Sequence, residues 1–172
     1  GGGGIDPQKL AGQGEVGASP LQMANMTAAI ANRGYYYSPH IVRAIGDSLN
    51  KTRGLSVRHE IKIDPENFES IIKGMDAAVN GGAGATASIA AIDSITVCGK
   101  TGTAQNPHGK DHSIFIAFAP KEKPEIAIAV YIENAGFGAT YAAPVASLII
   151  EKYLRGTIKR KYLEDYVFSL TL

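Results

Sequence analysis

Val97-Cys98-Gly99-Lys100-Thr101-Gly102-Thr103-Ala104-Gln105 is the stretch on which the reading turns. It continues an apolar run from Ser94, and the residues to Thr103 are expected to form a strand. A lysine and two hydroxyls on one strand can hold a carboxylate, and Gly102 leaves room for another backbone to come close. Strict alternation puts Lys100 and Thr101 on opposite faces. They can serve one pocket only where a twisted strand borders it at the edge of a sheet. An edge strand would also accept an extended peptide as a further strand. Gly99-Lys100-Thr101 is not the end of a phosphate loop, because that loop needs a glycine where Ser94 stands.

Downstream, Ser113 to Ala119 and Glu125 to Glu133 are two more strand candidates. The connection Pro120-Lys121-Glu122-Lys123-Pro124 is too short for a parallel crossover, so these strands pair antiparallel. Their continuous apolar character predicts cover on both faces. Pro144 is expected to start a helix with Val145, Leu148, Ile149 and Tyr153 inward and Gly156 as its stop. Upstream, Ser19-Pro20-Leu21-Gln22 is a capping box opening a helix to Asn32, with Leu21, Ala24, Ala28 and Ala31 on its packing face. Asp64-Pro65 opens another, carrying Phe68, Ile71, Ile72, Met75 and Val79 at helical spacing and ending at Asn80-Gly81-Gly82. Tyr35 to Ala44 reads as short extended pieces, Asp47 to Arg58 as a polar loop, and Ala83 to Ala91 as a loop with one helical turn.

The chain has 172 residues, 45% apolar and 19% charged, with 17 Lys plus Arg against 16 Asp plus Glu. A net charge of +1 argues against nucleic acid as a partner. One cysteine, Cys98, excludes an internal disulfide and a cysteine-rich metal knuckle. The longest apolar runs, Ile126 to Ile132 and Tyr141 to Ile150, are far below the ~20 residues that cross a bilayer, and no signal peptide is expected. Residues 1–11, with Gly1 to Gly4, read as a linker or scar plus lead-in; 12–156 as the C-terminal half of a larger domain; and 157–172 as a basic and aromatic tail.

Several ordered blocks carry a family resemblance. They are Gly12-Gln13-Gly14-Glu15 with Ser19-Pro20-Leu21-Gln22-Met23-Ala24-Asn25, then Ile30-Ala31-Asn32-Arg33-Gly34, then Val97 to Gln105. Asp111-His112-Ser113 running into Phe118-Ala119-Pro120 follows, and then Glu133-Asn134-Ala135-Gly136. The sequence resembles the C-terminal half of the transpeptidase domain of class B penicillin-binding proteins, the elongation type called penicillin-binding protein 2. The resemblance implies an α/β fold, part of the penicillin-binding, serine β-lactamase-like architecture, with an antiparallel sheet and packed helices. It implies serine acyl transfer that cross-links peptidoglycan stem peptides, and acylation by β-lactam antibiotics. In that frame Lys100 joins the proton and electrostatic network, Thr101 and Thr103 bind the carboxylate, Gly102 keeps the strand approachable, and the Thr103 backbone N–H faces the oxyanion. No metal or cofactor is assigned from the residues; the resemblance further implies a site at the periplasmic face of the bacterial inner membrane, membrane proteins of cell elongation as partners, and links to cell shape and antibiotic resistance. A non-catalytic penicillin-recognising binding or sensor module of the same fold is the alternative.

The family also uses a nucleophile motif S-x-x-K and a second motif S-x-N upstream of the lysine strand. Ser48-Leu49-Asn50-Lys51 and Ser70-Ile71-Ile72-Lys73 imitate them, but in the wrong order. Ser70 should stand mid-helix with its N–H bonded to Glu66, not at a helix start facing an oxyanion. The expectation is therefore that the nucleophile belongs to an upstream half outside this chain, that the chain alone is inactive, and that faces made for that half are left uncovered. Asp111-His112-Ser113 is not a catalytic triad, since triad members meet in space. His108 and His112 are read as loop and strand-entry residues, His40 as structural, Cys98 as a small packed residue, and Lys159-Arg160-Lys161 as a solvated face.

Overall fold

A computed structural model describes residues 17–42 and 57–170. The Gly12 to Glu15 block and the Ser48 to Lys51 decoy lie outside the described residues. The chain order is α1 (Pro20–Ala31), β1 (Tyr35–Tyr37), β2 (Arg58–Glu60), α2 (Pro65–Asn80), β3 (Cys98–Ala104), β4 (His112–Ala119), β5 (Ile126–Ile132), α3 (Ala142–Arg155) and α4 (Lys161–Ser169). Two short 3-10 turns, Gly82–Gly84 and Ser88–Ala90, link α2 to β3.

Three strands make the main sheet, in the order β3-β4-β5 and all antiparallel. Alternation then assigns the faces. Phe115, Ala117 and Ala119 of β4 pack with Ile128 and Val130 of β5 against Ala142, Ala143, Ala146 and Ile150 of α3. On the other face Cys98, Ile116 and Phe118 meet Ala31 of α1 with Ile72 and Met75 of α2. β4 is therefore covered on both sides as expected, whereas β5 is half-buried along its whole length. β1 and β2 form a separate antiparallel ribbon.

The first helix begins as its capping box dictates: the Gln22 N–H donates to Ser19 Oγ at 3.3 Å, and the Ser19 N–H donates to Gln22 Oε1 at 2.8 Å. Its packing face is rotated from the expected one. Thr27, Ala29 and Ala31 are buried while Leu21 is exposed. Thr27 is tolerated inside because its hydroxyl donates to the Met23 carbonyl at 2.7 Å. On α2 the inward face is Phe68, Ile72, Met75 and Val79, with Ile71 outside.

Three further expectations need correcting. The strand begins at Cys98, not Ser94, because Ser94 adopts φ 60° within a tight turn bridging Ile92 and Ile95. A left-handed residue cannot continue an extended strand. The inward face of α3 is not Val145, Leu148, Ile149 and Tyr153: Ile149 and Tyr153 are exposed, and Ala143, Ala146, Ser147, Ile150 and Glu151 face in with Leu148 also buried. Phe115 shares its cluster with Ala142, Ala143 and Ala146, whose small side chains let the helix come close to the sheet there, with Ile150 beside them. Lys159-Arg160-Lys161 is not a wholly solvated face, since the Arg160 side chain is only 12% exposed; the basic and aromatic tail carries α4.

Arg160 is drawn in by Glu151, whose side chain is fully buried. Arg160 Nε donates to Glu151 Oε2 at 3.0 Å, Arg155 Nη1 to Oε1 at 3.1 Å, and the Lys159 N–H to Oε1 at 3.3 Å. The guanidinium of Arg160 also reaches the Ser147 hydroxyl at 2.7 Å and the Ala91 carbonyl at 2.8 Å. Burial pushes the Glu151 carboxyl up, but the Arg160 hydrogen bond and charge, with help from Lys159 and Arg155, hold it below the usual glutamate range.

Glu151→Ala would strand Arg160 beside an apolar core and is expected to cost about 3–5 kcal/mol, more than Arg155→Ala at the partly exposed partner. The folded-state pKa lies below the unfolded one, so the contribution of Glu151 is complete above roughly pH 4.3 and is lost as the pH falls below that. Denaturant melts at pH 7 of wild type, Glu151→Ala and Arg155→Ala check the first point, and melts of wild type and Glu151→Gln across pH 3 to 7 check the second. The two proteins should converge toward the acid end.

Candidate functional site

β3 is the outer strand of its sheet and pairs, among the described residues, with β4 alone. Its register sets Lys100 opposite Ile116, Thr101 opposite Phe115, Gly102 opposite Ile114 and Thr103 opposite Ser113. Thr101 and Thr103 thus share the α3 side of the sheet and Lys100 stands on the α1–α2 side. Lys100 is exposed, and its ammonium folds back to donate to the Thr101 carbonyl at 2.7 Å. The cation therefore sits along the strand itself, within the reach of the edge that two opposed faces require. Thr101, Gly102 and Thr103 are half-buried.

Two glycines make this strand thin, and a third allows the approach that Gly102 was expected to permit. A Cβ on Gly99 would stand 2.4 Å from Phe115 Cζ, so the buried ring of β4 lies directly against β3 there. A Cβ on Gly102 would meet Ile114 Cβ at 3.3 Å. The close backbone contact comes from the loop after β5: a Cβ on Gly138 would be 2.3 Å from the Ile114 carbonyl oxygen and 2.7 Å from that of Gly102. Of these three the need for glycine is greatest at Gly138, whose partner strands are far away in the chain.

The start of β3 is tied down from α2. Asn80 Nδ2 donates to the Val97 carbonyl at 2.9 Å and to Asp76 Oδ1 at 2.8 Å. Lys121 Nζ donates to Asp76 Oδ2 at 2.9 Å, and its backbone N–H donates to the Thr96 carbonyl at 3.0 Å. The ammonium beside Asp76 holds that carboxyl below its ordinary range. These residues, unmarked by any motif, fix the register in which Lys100, Thr101 and Thr103 are presented.

The remaining candidates separate from this strand. Ser70 lies inside α2, and its hydroxyl donates to the Glu66 carbonyl at 3.1 Å, so it has neither the helix-start position nor the free N–H that an acyl-transfer nucleophile needs. Cys98 is fully buried, and burial pushes its thiol up to about 12, which leaves it an inert packed residue. His108 lies in the β3–β4 turn and His112 opens β4. No three His, Cys, Asp or Glu side chains converge as a metal set among the described residues. A cation, two hydroxyls and an open strand edge can bind a carboxylate at the end of an extended peptide.

The model of the penicillin binding protein transpeptidase domain matches residues 5–151. The chain is 32% identical over 160 residues to the peptidoglycan D,D-transpeptidase MrdA of Haemophilus influenzae, covering 83% of this chain and 25% of that protein. It is 30% identical over 158 residues to the peptidoglycan D,D-transpeptidase PbpA of Mycobacterium tuberculosis, covering 84% and 31%. Among solved structures, PBP2 of Pseudomonas aeruginosa in complex with WCK 5153 superposes with a TM-score of 0.72 at 34% identity, over 88% of this chain and 33% of that one. The imipenem acyl-enzyme of penicillin-binding protein A from M. tuberculosis gives 0.68 at 32% identity, over 83% and 32%. The chain thus spans about a quarter to a third of the length of these relatives.

Gly99→Ala tests the contact that shapes the strand. The new methyl must displace the Phe115 ring, which is expected to cost about 1–3 kcal/mol, and Phe115→Leu in the same chain should recover part of that loss. A double-mutant cycle on denaturant melts measures the coupling.

Proposed function

Because the chain belongs to the penicillin-binding protein transpeptidase domain family, we propose that it supplies the carboxylate-binding strand of a serine-type peptidoglycan D,D-transpeptidase. The observation that carries this reading is the exposed edge of β3, with Lys100, Thr101 and Thr103 on one short run and no competing strand beside them among the described residues. A stem peptide would lie antiparallel to that edge. Its terminal carboxylate would take hydrogen bonds from the Thr101 and Thr103 hydroxyls, with the Lys100 charge close by. The Thr103 N–H would face the oxygen of the scissile carbonyl, where negative charge develops in the tetrahedral intermediate. Lys100 would stabilise that charge and join proton transfer. A β-lactam presents a carboxylate and a reactive carbonyl in a similar arrangement, so the same groups would receive it.

We assign the serine nucleophile, its lysine and the S-x-N motif to the part of the relatives' length that this chain does not span. The exposed Leu21 and Met26 of α1 and Ile71 of α2 support the same division, as apolar surface that the rest of such a domain would cover. A complex of Helicobacter pylori PBP2 with MreC, 26% identical to this chain, supports a membrane-associated elongation protein as partner. No described helix is long and apolar enough to cross a membrane. The periplasmic face of the inner membrane is the compartment where peptidoglycan and such a partner would meet.

Two measurements test this reading. In a transpeptidase of full family length containing this sequence, Lys100→Ala is expected to slow acylation by a fluorescent penicillin on the order of 100-fold. Thr103→Val, which keeps the backbone N–H, should slow it about tenfold or more. Melting temperatures should stay unchanged, and unaltered acylation in the folded variants would refute the assignment. For the 172-residue chain by itself, intact mass after penicillin treatment should show no stoichiometric adduct, and an adduct mapped to Ser70 would overturn the placement of the nucleophile elsewhere.

A further inference from the structure

We propose that Asp111, His112 and Ser113 act together as a positioning clamp that sets the loop 134–142 against β3 and so shapes the face carrying Thr101 and Thr103. Its consequence for acylation rests on the transpeptidase reading above. These three residues at the entry to β4 grip the loop at successive points. The Gly136 N–H donates to the Asp111 carbonyl at 2.6 Å, and the Asn134 N–H donates to His112 Nδ1 at 3.1 Å. Ser113 Oγ donates to the Phe137 carbonyl at 3.0 Å and accepts the Ala142 N–H at 3.1 Å. The Asp111 carboxylate takes the Asn106 N–H at 3.2 Å, and the Asn106 amide donates to Asn134 Oδ1 at 2.6 Å, which ties the β3–β4 turn into the same grip.

The geometry rules out the obvious alternative, a hydrolytic trio. His112 Nδ1 accepts a backbone N–H and so carries no proton, and its ring packs against Tyr131 with centroids 5.3 Å apart. Ser113 is fully buried, with both its donor and an acceptor position committed to the loop. Each side chain is engaged in holding backbone. Asn134 and Gly136 take left-handed conformations at φ 55° and 79°, which asparagine and glycine adopt more readily than other residues, and these turns bring the Asn134 and Gly136 N–H groups to His112 and Asp111.

What the clamp delivers is Gly138. That residue is wedged on the backbones of Ile114 and Gly102, and Gly102 lies between the two threonines. Phe137, whose carbonyl Ser113 holds, is 73% exposed beside this contact. Slackening the clamp therefore changes the surface next to Thr101 and Thr103 without touching either hydroxyl. Asp111, His112 and Ser113 are positioning residues, acting through the loop.

The test uses a transpeptidase of full family length containing this sequence, read by amide hydrogen exchange and by the acylation rate with a fluorescent penicillin. His112→Asn places Oδ1 close to the position of Nδ1, whereas His112→Gln puts its acceptor one bond too far; both lose the ring on Tyr131. His112→Gln should speed exchange at Asn134 about tenfold and slow acylation, and His112→Asn should restore both. Ser113→Ala should release the Ala142 amide in the same way, with exchange at Val130 in β5 unchanged as a control for global opening. Unchanged exchange at Asn134 and Ala142 in these variants overturns the clamp. Faster exchange with an unaltered acylation rate overturns its positioning role. A wild-type protein that is not acylated at all refutes the transpeptidase reading, and the exchange rates still decide the clamp.

Discussion

The burial of β4 between two layers of helix is the constraint from which the rest follows. Phe115, Ala117, Phe118 and Ala119 have no exposed surface, and they contact α3 on one side and α1 with α2 on the other. Because β4 is central, β3 and β5 take its two flanks. Among the described residues β3 then has a free edge, and it is the strand that carries the lysine and the threonines. The Phe115 ring also dictates Gly99, since any side chain there would collide with it. Packing in the core and chemistry at the edge are in this way consequences of one strand's position.

Much of this architecture was legible in the sequence because the signals were local. A five-residue turn between two apolar runs admits only antiparallel pairing, and Ser19 with Gln22 closes a capping box inside four residues. What was not legible depended on distant partners. Ile149 and Tyr153 look like the core face of α3 by hydrophobicity, but the small side chains of Ala142, Ala143 and Ala146 are what pack with Phe115. The helix therefore turns its alanines inward, along with Ser147 and Glu151. Those two polar residues are both met by Arg160, which returns from beyond the helix, while the Ala90 carbonyl accepts the Ser147 hydroxyl and Arg155 and Lys159 complete the shell of Glu151. No local pattern announces that arginine.

The same division runs through the candidate site. Lys100, Thr101, Gly102 and Thr103 are contiguous, and their placement on an edge strand followed from the demand that opposite faces serve one pocket. The support around them is dispersed: Asn80 and Lys121 fix the entry to β3, and Gly138 packs on Gly102 from 36 positions along the chain. Asp111-His112-Ser113 is not a triad, yet the residues are not idle. Their hydrogen bonds all run to backbone or to the neighbouring turn, a role that composition and spacing cannot reveal.

The central claim is that the edge of β3 receives the carboxylate of an acylating substrate or drug. A structure of the penicilloyl adduct, in a transpeptidase of full family length containing this sequence, tests it most directly. The account predicts the drug carboxylate within about 2.7–3.1 Å of the Thr101 and Thr103 hydroxyls and its carbonyl oxygen facing the Thr103 N–H. An adduct whose carboxylate points away from β3, with neither threonine in hydrogen-bond reach, would contradict it.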